Sequence, residues 1–341
     1  MNEKIREVNT KLELYSPKEK IMWDSWFIKE RNTYHSFYLQ CTRTENPEER
    51  HDNHVSIGHA FSDDLINWKE TETALEPGEK GEWDDLALWT GSVIKKDNRH
   101  YMFYTGRQNK KGENQIQKIG MAFSDDLINW TKFAENPVLK ADLRYYDMNN
   151  NLNGLGKKPI WRDPYVFKDS RLGKYFMTIS ARVRGARREY NACIALAESE
   201  DLIEWKIHKP ILSPGIYDEM ETSQMVYCEG HYYLFFGVGC PENYSPDLAN
   251  KIGVHTGLHC YYSKNLKGPY KPVNGNGIVL DNALDIYDIR LIAKSGNSFS
   301  ALGWLNNNPS SGNFLGVMSS PFDIYIKGDR VEVANYNSLQ V

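Results

Sequence analysis

Three acidic residues each stand at the opening of a stretch rich in Tyr, Phe, Val and Ile. They are Asp24 in W-D-S-W (Trp23 to Trp26), Asp163 in W-R-D-P (Trp161 to Pro164) and Glu221 in M-E-T-S-Q (Met220 to Gln224). All three hold nearly the same register relative to the apolar stretch each one opens, and Trp flanks two of them. One carboxylate before a strand is an ordinary solvated or ion-paired turn residue. Three in a shared register, beside aromatic side chains, suit the cleavage of a glycosidic bond. That chemistry needs one carboxylate as nucleophile or base and a second, protonated one as acid, its pKa raised by an apolar or like-charged setting. A third carboxylate can hold sugar hydroxyls and stabilise an oxocarbenium-like transition state, while Trp and Tyr faces stack on the ring.

Such residues act together only if the fold brings distant segments to one place. The nonapeptide AFSDDLINW occurs twice, at 60–68 and 122–130. Looser copies occur as AESEDLIEW at 197–205, YYSKNLKGPY at 261–270 and the remnant VMSSPFDI at 317–324. Their Ser residues, 62, 124, 199, 263 and 319, are separated by 62, 75, 64 and 56 residues. Between them runs a second pattern, a strand, a polar turn and a Tyr/Phe-rich strand, starting at Asp24, Gly91, Asp163, Thr222 and Tyr287. Alternation bounded by turn residues marks each as a β-hairpin. A third strand ends in the Ser motif, and a fourth starts near its Trp. Five units of four antiparallel strands predict an all-β, five-bladed β-propeller, because units that cannot bury their faces alone must stack around an axis. A two-sheet sandwich leaves the fivefold repetition unexplained. The chain is read as a single domain over 1–341, with a lead-in at 1–20, a closing segment at 326–341 and no C-terminal β-sandwich.

The repeated motif has a scaffold reading. Ser62 or Ser124 caps a turn with its hydroxyl, the following Asp meets orphan N–H groups, Leu65 and Leu127 bury, and Trp68 and Trp130 cover the blade edge. Asp63, Asp64, Asp125 and Asp126 therefore belong to the rim. The chemistry belongs to the innermost strands, whose starts converge on one mouth of the axis: W-D-S-W, L-W-T-G-S (Leu88 to Ser92), W-R-D-P, M-E-T-S-Q and Y-D-I-R (Tyr287 to Arg290).

Bulk properties narrow the partners. A net charge of −4 and only interrupted basic clusters exclude nucleic acid or an anionic membrane as the main partner. With 21 Tyr and 9 Trp, the chain has the aromatic supply that a β-rich fold or a sugar cleft uses. The five Cys (41, 193, 228, 240 and 260) form no CxxC pair and read as free thiols. With no apolar leader in the first 20 residues, a cytoplasmic location is expected. His54, His59 and His100 read as structural, and His35, His255 and His259 lack metal-ligand spacing. No cofactor is expected and no metal ligands are assigned; an ion on the axis is left open. The expected partner is an oligosaccharide or small glycoside, and the oligomeric state is open.

W-D-S-W, W-T-G-S followed by F-Y-T-G (Phe103 to Gly106), W-R-D-P and M-E-x-x-Q occur in order at blade spacing. Together they resemble the five-bladed propeller glycosidases: invertase-type glycoside hydrolase family 32, levansucrase-type family 68 and the arabinanase/xylosidase family 43. The likeness spans roughly 20–325 and is nearest the fructan-active families. It implies roles by position. Asp24 is the nucleophile in a fructosidase, or the base in an inverting family 43 enzyme. Asp163 is the transition-state stabiliser, Glu221 the acid/base, and Arg162 a holder of sugar hydroxyls. Trp23, Trp26, Trp89 and Ser92 are expected to bind substrate as walls and floor of the first subsite. Asp288 and Arg290 close the ring as substrate contacts or form a structural ion pair. The chain also departs from those families. It lacks the N-D-P-N-G string of invertases, reads Glu221-Thr222-Ser223 at the acid where those families read Glu-Cys or Glu-Arg-Pro, and carries a second glutamate at Glu219. These departures place it close to both fructan families but inside neither. The stretch 141–159 reads as a loop at the mouth. A retaining β-fructofuranosidase-like hydrolase is the leading expectation. An inverting arabinofuranosidase or xylosidase, a transfructosylase and a non-catalytic sugar-binding propeller are the alternatives.

Overall fold

The computed structural model describes residues 14–44, 46–108, 117–148, 159–186, 190–239, 245–253, 255–281, 285–307 and 313–336. Among the described residues, twenty-two strands form five antiparallel sheets arranged as a five-bladed propeller. Blade I holds β1 (Lys20–Glu30), β2 (Thr33–Thr42), β3 (Ser56–Ser62) and β4 (Lys69–Glu70). Blade II holds β5 (Ala87–Lys96), β6 (Arg99–Arg107), β7 (Gln117–Ser124) and β8 (Thr131–Lys132). Blade III holds β9 (Trp161–Asp169), β10 (Lys174–Arg182), β11 (Ala192–Ser199) and β12 (Lys206–Ile207). Blade IV holds β13 (Glu221–Cys228), β14 (His231–Val238), β15 (Gly257–Ser263) and β16 (Lys271–Pro272), with β17 (Ile278–Asp281) added on β15. Blade V holds β18 (Ile286–Ser295), β19 (Ser298–Asn307), β20 (Phe314–Met318), β21 (Phe322–Lys327) and β22 (Arg330–Ala334).

Four strands per blade therefore holds for blades I to III, while blades IV and V carry a fifth. In blade V the third strand is split, with β20 and β21 pairing different parts of β19. The fifth repeat remnant falls on that break. Ser319 caps no turn there; its hydroxyl accepts the N–H of Gly303 at 3.1 Å.

The rim motif folds the same way three times. Asp64, Asp126 and Asp201 each accept the N–H groups two and three residues on, at 2.8–2.9 Å. Leu65, Leu127 and Leu202 take left-handed φ of 65°, 68° and 75°, and bury. The second acidic residue of the motif is thus the structural one. The first residue of each pair is surface: Asp63 accepts from Thr33, and Asp125 pairs with Arg99. The Trp does more than cover its own blade. Trp130 of blade II packs edge-on against Phe37 of blade I at 5.4 Å, and Trp205 of blade III packs against Phe103 of blade II at 5.4 Å. It is a wedge between successive blades. Five hydrophobic clusters occupy the blade-to-blade seams, the last joining Met22, Tyr38 and Leu65 to Leu302 and Met318. Cys41, Cys193, Cys228 and Cys260 are free and buried; Cys240 lies outside the described residues.

Candidate active site

Every innermost strand carries a β-bulge at the same register. The ladders slip between Trp23 and Ser25, Trp89 and Gly91, Glu221 and Gln224, and Tyr287 and Arg290, and opposite Thr178 and Ser180 in β9. The extra residue is Asp24, Thr90, Asp163, Thr222 or Asp288. Four of these five have left-handed φ (23°, 59°, 50° and 46° for Asp24, Asp163, Thr222 and Asp288). Asp tolerates that conformation, whereas a β-branched Thr is strained there. A bulge bends its strand and re-aims a side chain, and here it does so at the axis.

The result is two rings. The residues before the bulges, Trp23, Trp89, Arg162, Glu221 and Tyr287, form a wall, and all five line a cleft of about 580 Å³ at the axis. The bulge residues form the floor. Asp24, Thr90, Asp163 and Thr222 face the cleft, and Asp288 lies beneath it. Glu221 therefore stands one register position above Asp24 and Asp163, not level with them.

Hydrogen bonds tie the floor together across blades. The Thr90 hydroxyl donates to Asp24 Oδ2, and Trp304 Nε1 on β19 donates to Asp24 Oδ1 at 2.9 Å. Thr222 N–H donates to Asp163 Oδ2 at 3.0 Å, and Ser25 N–H donates to Asp288 Oδ2 at 2.8 Å, which closes blade V onto blade I. In the wall, Glu221 accepts from Arg162 Nη2 on Oε1 (2.6 Å) and from the Tyr287 hydroxyl on Oε2 (2.7 Å). Arg162 also reaches Glu219 at 3.1 Å, and Arg182 bridges Asp218 (2.8 Å) and Glu219 (3.5 Å).

Acid groups crowded at low water content repel. Burial first, and then the charges of Asp288 and Glu221, push Asp24 well above the usual carboxylate range, against the pull of the Thr90 hydrogen bond. Burial also raises Asp163, Glu219 and Asp288, with Arg162 opposing it for the first two and Arg290 for the third. Burial disfavours the charge on Arg162, but Glu219, Glu221 and Asp163 outweigh it, so the guanidinium holds its proton more tightly than usual.

Six sequence-expected residues meet in this cleft: Asp24, Asp163, Glu221, Trp23, Trp89 and Arg162. Four do not line it. Trp26 is 2 % exposed and packs with Trp23 in the seam between blades I and II, because the bulge at Asp24 puts both indoles on one face of the sheet. Ser92 links blades II and III, donating to Pro164 O (2.8 Å) and accepting Val166 N–H (3.0 Å). Asp288 and Arg290 form a buried ion pair at 2.7 Å under the floor, with Arg290 reaching Ser223 O. Trp89 has one face taken by the Arg107 guanidinium, 3.9 Å from the ring centre. Of the expected mouth loop, Leu143, Tyr146, Asp147 and Met148 line a separate cavity with Arg184 and Gly185; 149–158 lie outside the described residues.

Sequence reasoning missed other lining residues. Thr90 and Thr222 share the bulge register, Tyr287 the register just before it, and all three were findable by aligning the five units. Arg107 and Arg182 each close a second strand, a signal visible in T-G-R and S-A-R. His51 and Asp52 come from a short 3-10 turn (Pro47–Asp52) between β2 and β3 and obey no pattern. Burial and the neighbouring Arg50 and Arg107 push His51 down to about 3, so it is a neutral imidazole. Among the described residues, no group of three or more His, Cys, Asp or Glu is arranged to hold a metal ion.

The family model for the glycosyl hydrolases family 32 N-terminal domain matches residues 15–335. The chain belongs to glycosyl hydrolase family 32. Its placement inside neither fructan-active family is thereby corrected: the absent N-D-P-N-G string is a local departure, not a family boundary. This family 32 chain is 31% identical over 173 residues to a levansucrase of Rahnella aquatilis, a match covering 42% of the chain and 39% of that protein. It is 29% identical to a sucrose-6-phosphate hydrolase of Bacillus subtilis, covering 46% of the chain and 28% of that protein. The chain thus matches well under two thirds of either relative's length. An extracellular sucrase of Zymomonas mobilis is 25% identical over 305 residues, 76% of the chain and 70% of that protein. In fold, an inulosucrase from Halalkalicoccus jeotgali bound to kestose superposes with a TM-score of 0.77 at 24% identity, covering 96% of the chain and 92% of that structure.

Proposed function

We propose that this family 32 chain cleaves β-fructofuranosides such as sucrose with retention of configuration. The observation that carries the reading is one cleft holding Asp24, its two carboxyl oxygens fixed by two donors, and Glu221, fixed in the wall by Arg162 and Tyr287. Asp24 attacks the anomeric carbon as nucleophile, and Glu221 protonates the departing oxygen and then activates water. Asp163, held by Thr222 N–H, grips ring hydroxyls and faces the positive charge that develops. Glu221 is favoured over Glu219 because it stands in the wall ring and bears on Asp24, while Glu219 precedes the strand and is tied to Arg162 and Arg182. Transfer of the fructosyl unit to a sugar acceptor is the second reading, favoured by the levansucrase likeness.

The test is a product screen on sucrose, inulin, levan, arabinan and nitrophenyl furanosides, with the anomer of the first product read by NMR. Retention is expected, and inversion sinks the double displacement. Asp24→Asn and Glu221→Gln should each lower turnover at least about a hundredfold; unchanged rates refute the assignment. Oligosaccharide products longer than the substrate establish transfer.

A further inference from the structure

We infer that Arg107 is a specificity-determining residue that holds a hydroxyl of the leaving group at the mouth of the cleft. This rests on the fructosidase reading and adds what the outer half of the cleft recognises. Arg107 ends β6 and lines the cleft, yet its side chain is only 3% exposed. It is fixed on three sides. Its guanidinium lies on Trp89, and Nη1 donates both to His51 O (2.7 Å) and to Asp52 Oδ1 (2.6 Å). The same His51 carbonyl accepts Trp89 Nε1 at 3.2 Å, so one backbone oxygen clamps both partners of the stack. Among the described residues nothing accepts the buried Nε–H of Arg107. That nitrogen is shut off from solvent, but Nη2 also has no acceptor among the described residues and is not shut off, so it is a rigid unpaired donor that a ligand oxygen in the cleft can reach.

Depth says which part of a substrate it meets. Arg107 pairs with Ala87, two residues before the wall residue Trp89 and three before the floor residue Thr90, and its partner Asp52 is 55% exposed, so this pair stands beyond the wall ring. The glycosyl unit sits at the bottom beside Asp24 and Asp163, so groups at the Asp52 level face what lies beyond the scissile oxygen. Charge says what kind of oxygen it is. Three guanidiniums in the cleft face six carboxylates, which favours a neutral hydroxyl over a phosphate.

The test compares Arg107→Met, which keeps the aliphatic stem on Trp89, and Arg107→Lys, which keeps the charge but lacks Nε–H and the planar fork. Both are assayed on sucrose and on 4-nitrophenyl β-D-fructofuranoside, whose leaving group has no aliphatic hydroxyls. Both variants should lose kcat/KM on sucrose by roughly tenfold to a hundredfold more than on the nitrophenyl substrate, mainly through KM. Equal losses on the two substrates, or no loss, overturn the inference. So does Arg107→Lys behaving as wild type, which would make the role one of charge alone. If the wild-type chain cleaves neither substrate, the fructosidase reading fails and this inference falls with it; a wild type active on both with unselective variants removes only Arg107.

Discussion

Trp304→Phe deletes one hydrogen bond to one carboxylate and should move the acid limb of the pH–rate profile. Trp304 Nε1 lies 2.9 Å from Asp24 Oδ1, and with the Thr90 hydroxyl on Oδ2 it stabilises the ionised form. Burial, Asp288 and Glu221 already push the Asp24 carboxyl upward, so this donor acts against a large opposing field. A hydrogen bond to a charged group contributes about 1.5–3 kcal/mol, and each pKa unit is about 1.4 kcal/mol. The variant should therefore raise the Asp24 pKa by about one to two units. A nucleophile reacts only when ionised, so the acid limb of kcat/KM, which reports the free enzyme, should move to higher pH by that amount. At a fixed pH on the acid side, a limb displaced by one pH unit means a rate about tenfold lower. The assay is initial-rate kcat/KM on sucrose across acid and neutral pH, beside thermal unfolding to track the aromatic contacts with Tyr287 and Phe314 that Trp304 also makes. Thr90→Val removes the second donor without touching that cluster and should displace the limb the same way. A limb that stays in place, or moves to lower pH, in both variants would show that Asp24 is not the group titrating there.

Three further outcomes rest on the same geometry. His59 is held neutral, its pKa pushed down to about 3 by burial and by His35, so the unfolded chain binds the extra proton. Its contribution to stability is intact above about pH 6.5 and is lost by about 1.4 kcal/mol per pH unit as pH falls toward the folded value; His59→Gln should flatten the acid side of the unfolding-midpoint curve, and an unchanged slope refutes this. Asp126→Ala removes the cap of the blade II rim turn and should cost about 1 kcal/mol in urea unfolding, with kcat intact, whereas Asp125→Ala should cost less; the reverse order would undo the reading of the motif. Because carboxylates outnumber guanidiniums in the cleft, sucrose 6-phosphate should be a poorer substrate than sucrose, the gap narrowing with added salt; a preference for the phosphorylated sugar would contradict it.

The fold was legible because the rim motif repeats. Ser-x-Asp-Leu-Ile-x-Trp needs a capping hydroxyl, a turn acceptor, a buried Leu and an inter-blade wedge, and those demands keep nearly the same letters in three blades. Blade V was less legible because its third strand breaks at Ser319, so the motif has no turn to cap. The site was legible in part. Asp24 and Asp163 stand out in sequence because they occupy the bulge, where few residues other than Asp and Gly sit at left-handed φ without strain. Trp26 and Ser92 misled because standing near the start of an innermost strand does not decide where a side chain points, and beyond the bulge both are taken up in blade seams. His51 and Asp52 arrive from a connection whose course only tertiary packing decides.

The bulge register also explains how one position supplies both acids and their partners. The floor reads Asp24, Thr90, Asp163, Thr222 and Asp288 around the axis, so a hydroxyl residue comes after each of the first two acids in turn and donates to it, from Oγ in blade II and from the backbone in blade IV. Blade V then brings a third acid against blade I, and the Ser25 N–H and Arg290 absorb its charge. No blade carries a complete site, since the ionisation of Asp24 depends on side chains from blades II and V. Burial first, and then the excess of carboxylate over guanidinium charge around the axis, raises the acid pKa values and works against folding. In the proposed reaction that excess is compensated where it matters. An oxocarbenium-like centre forms within a ring of fixed, partly desolvated negative charge that needs little reorganisation to receive it, so the electrostatic strain among these carboxylates is relieved most fully in the transition state.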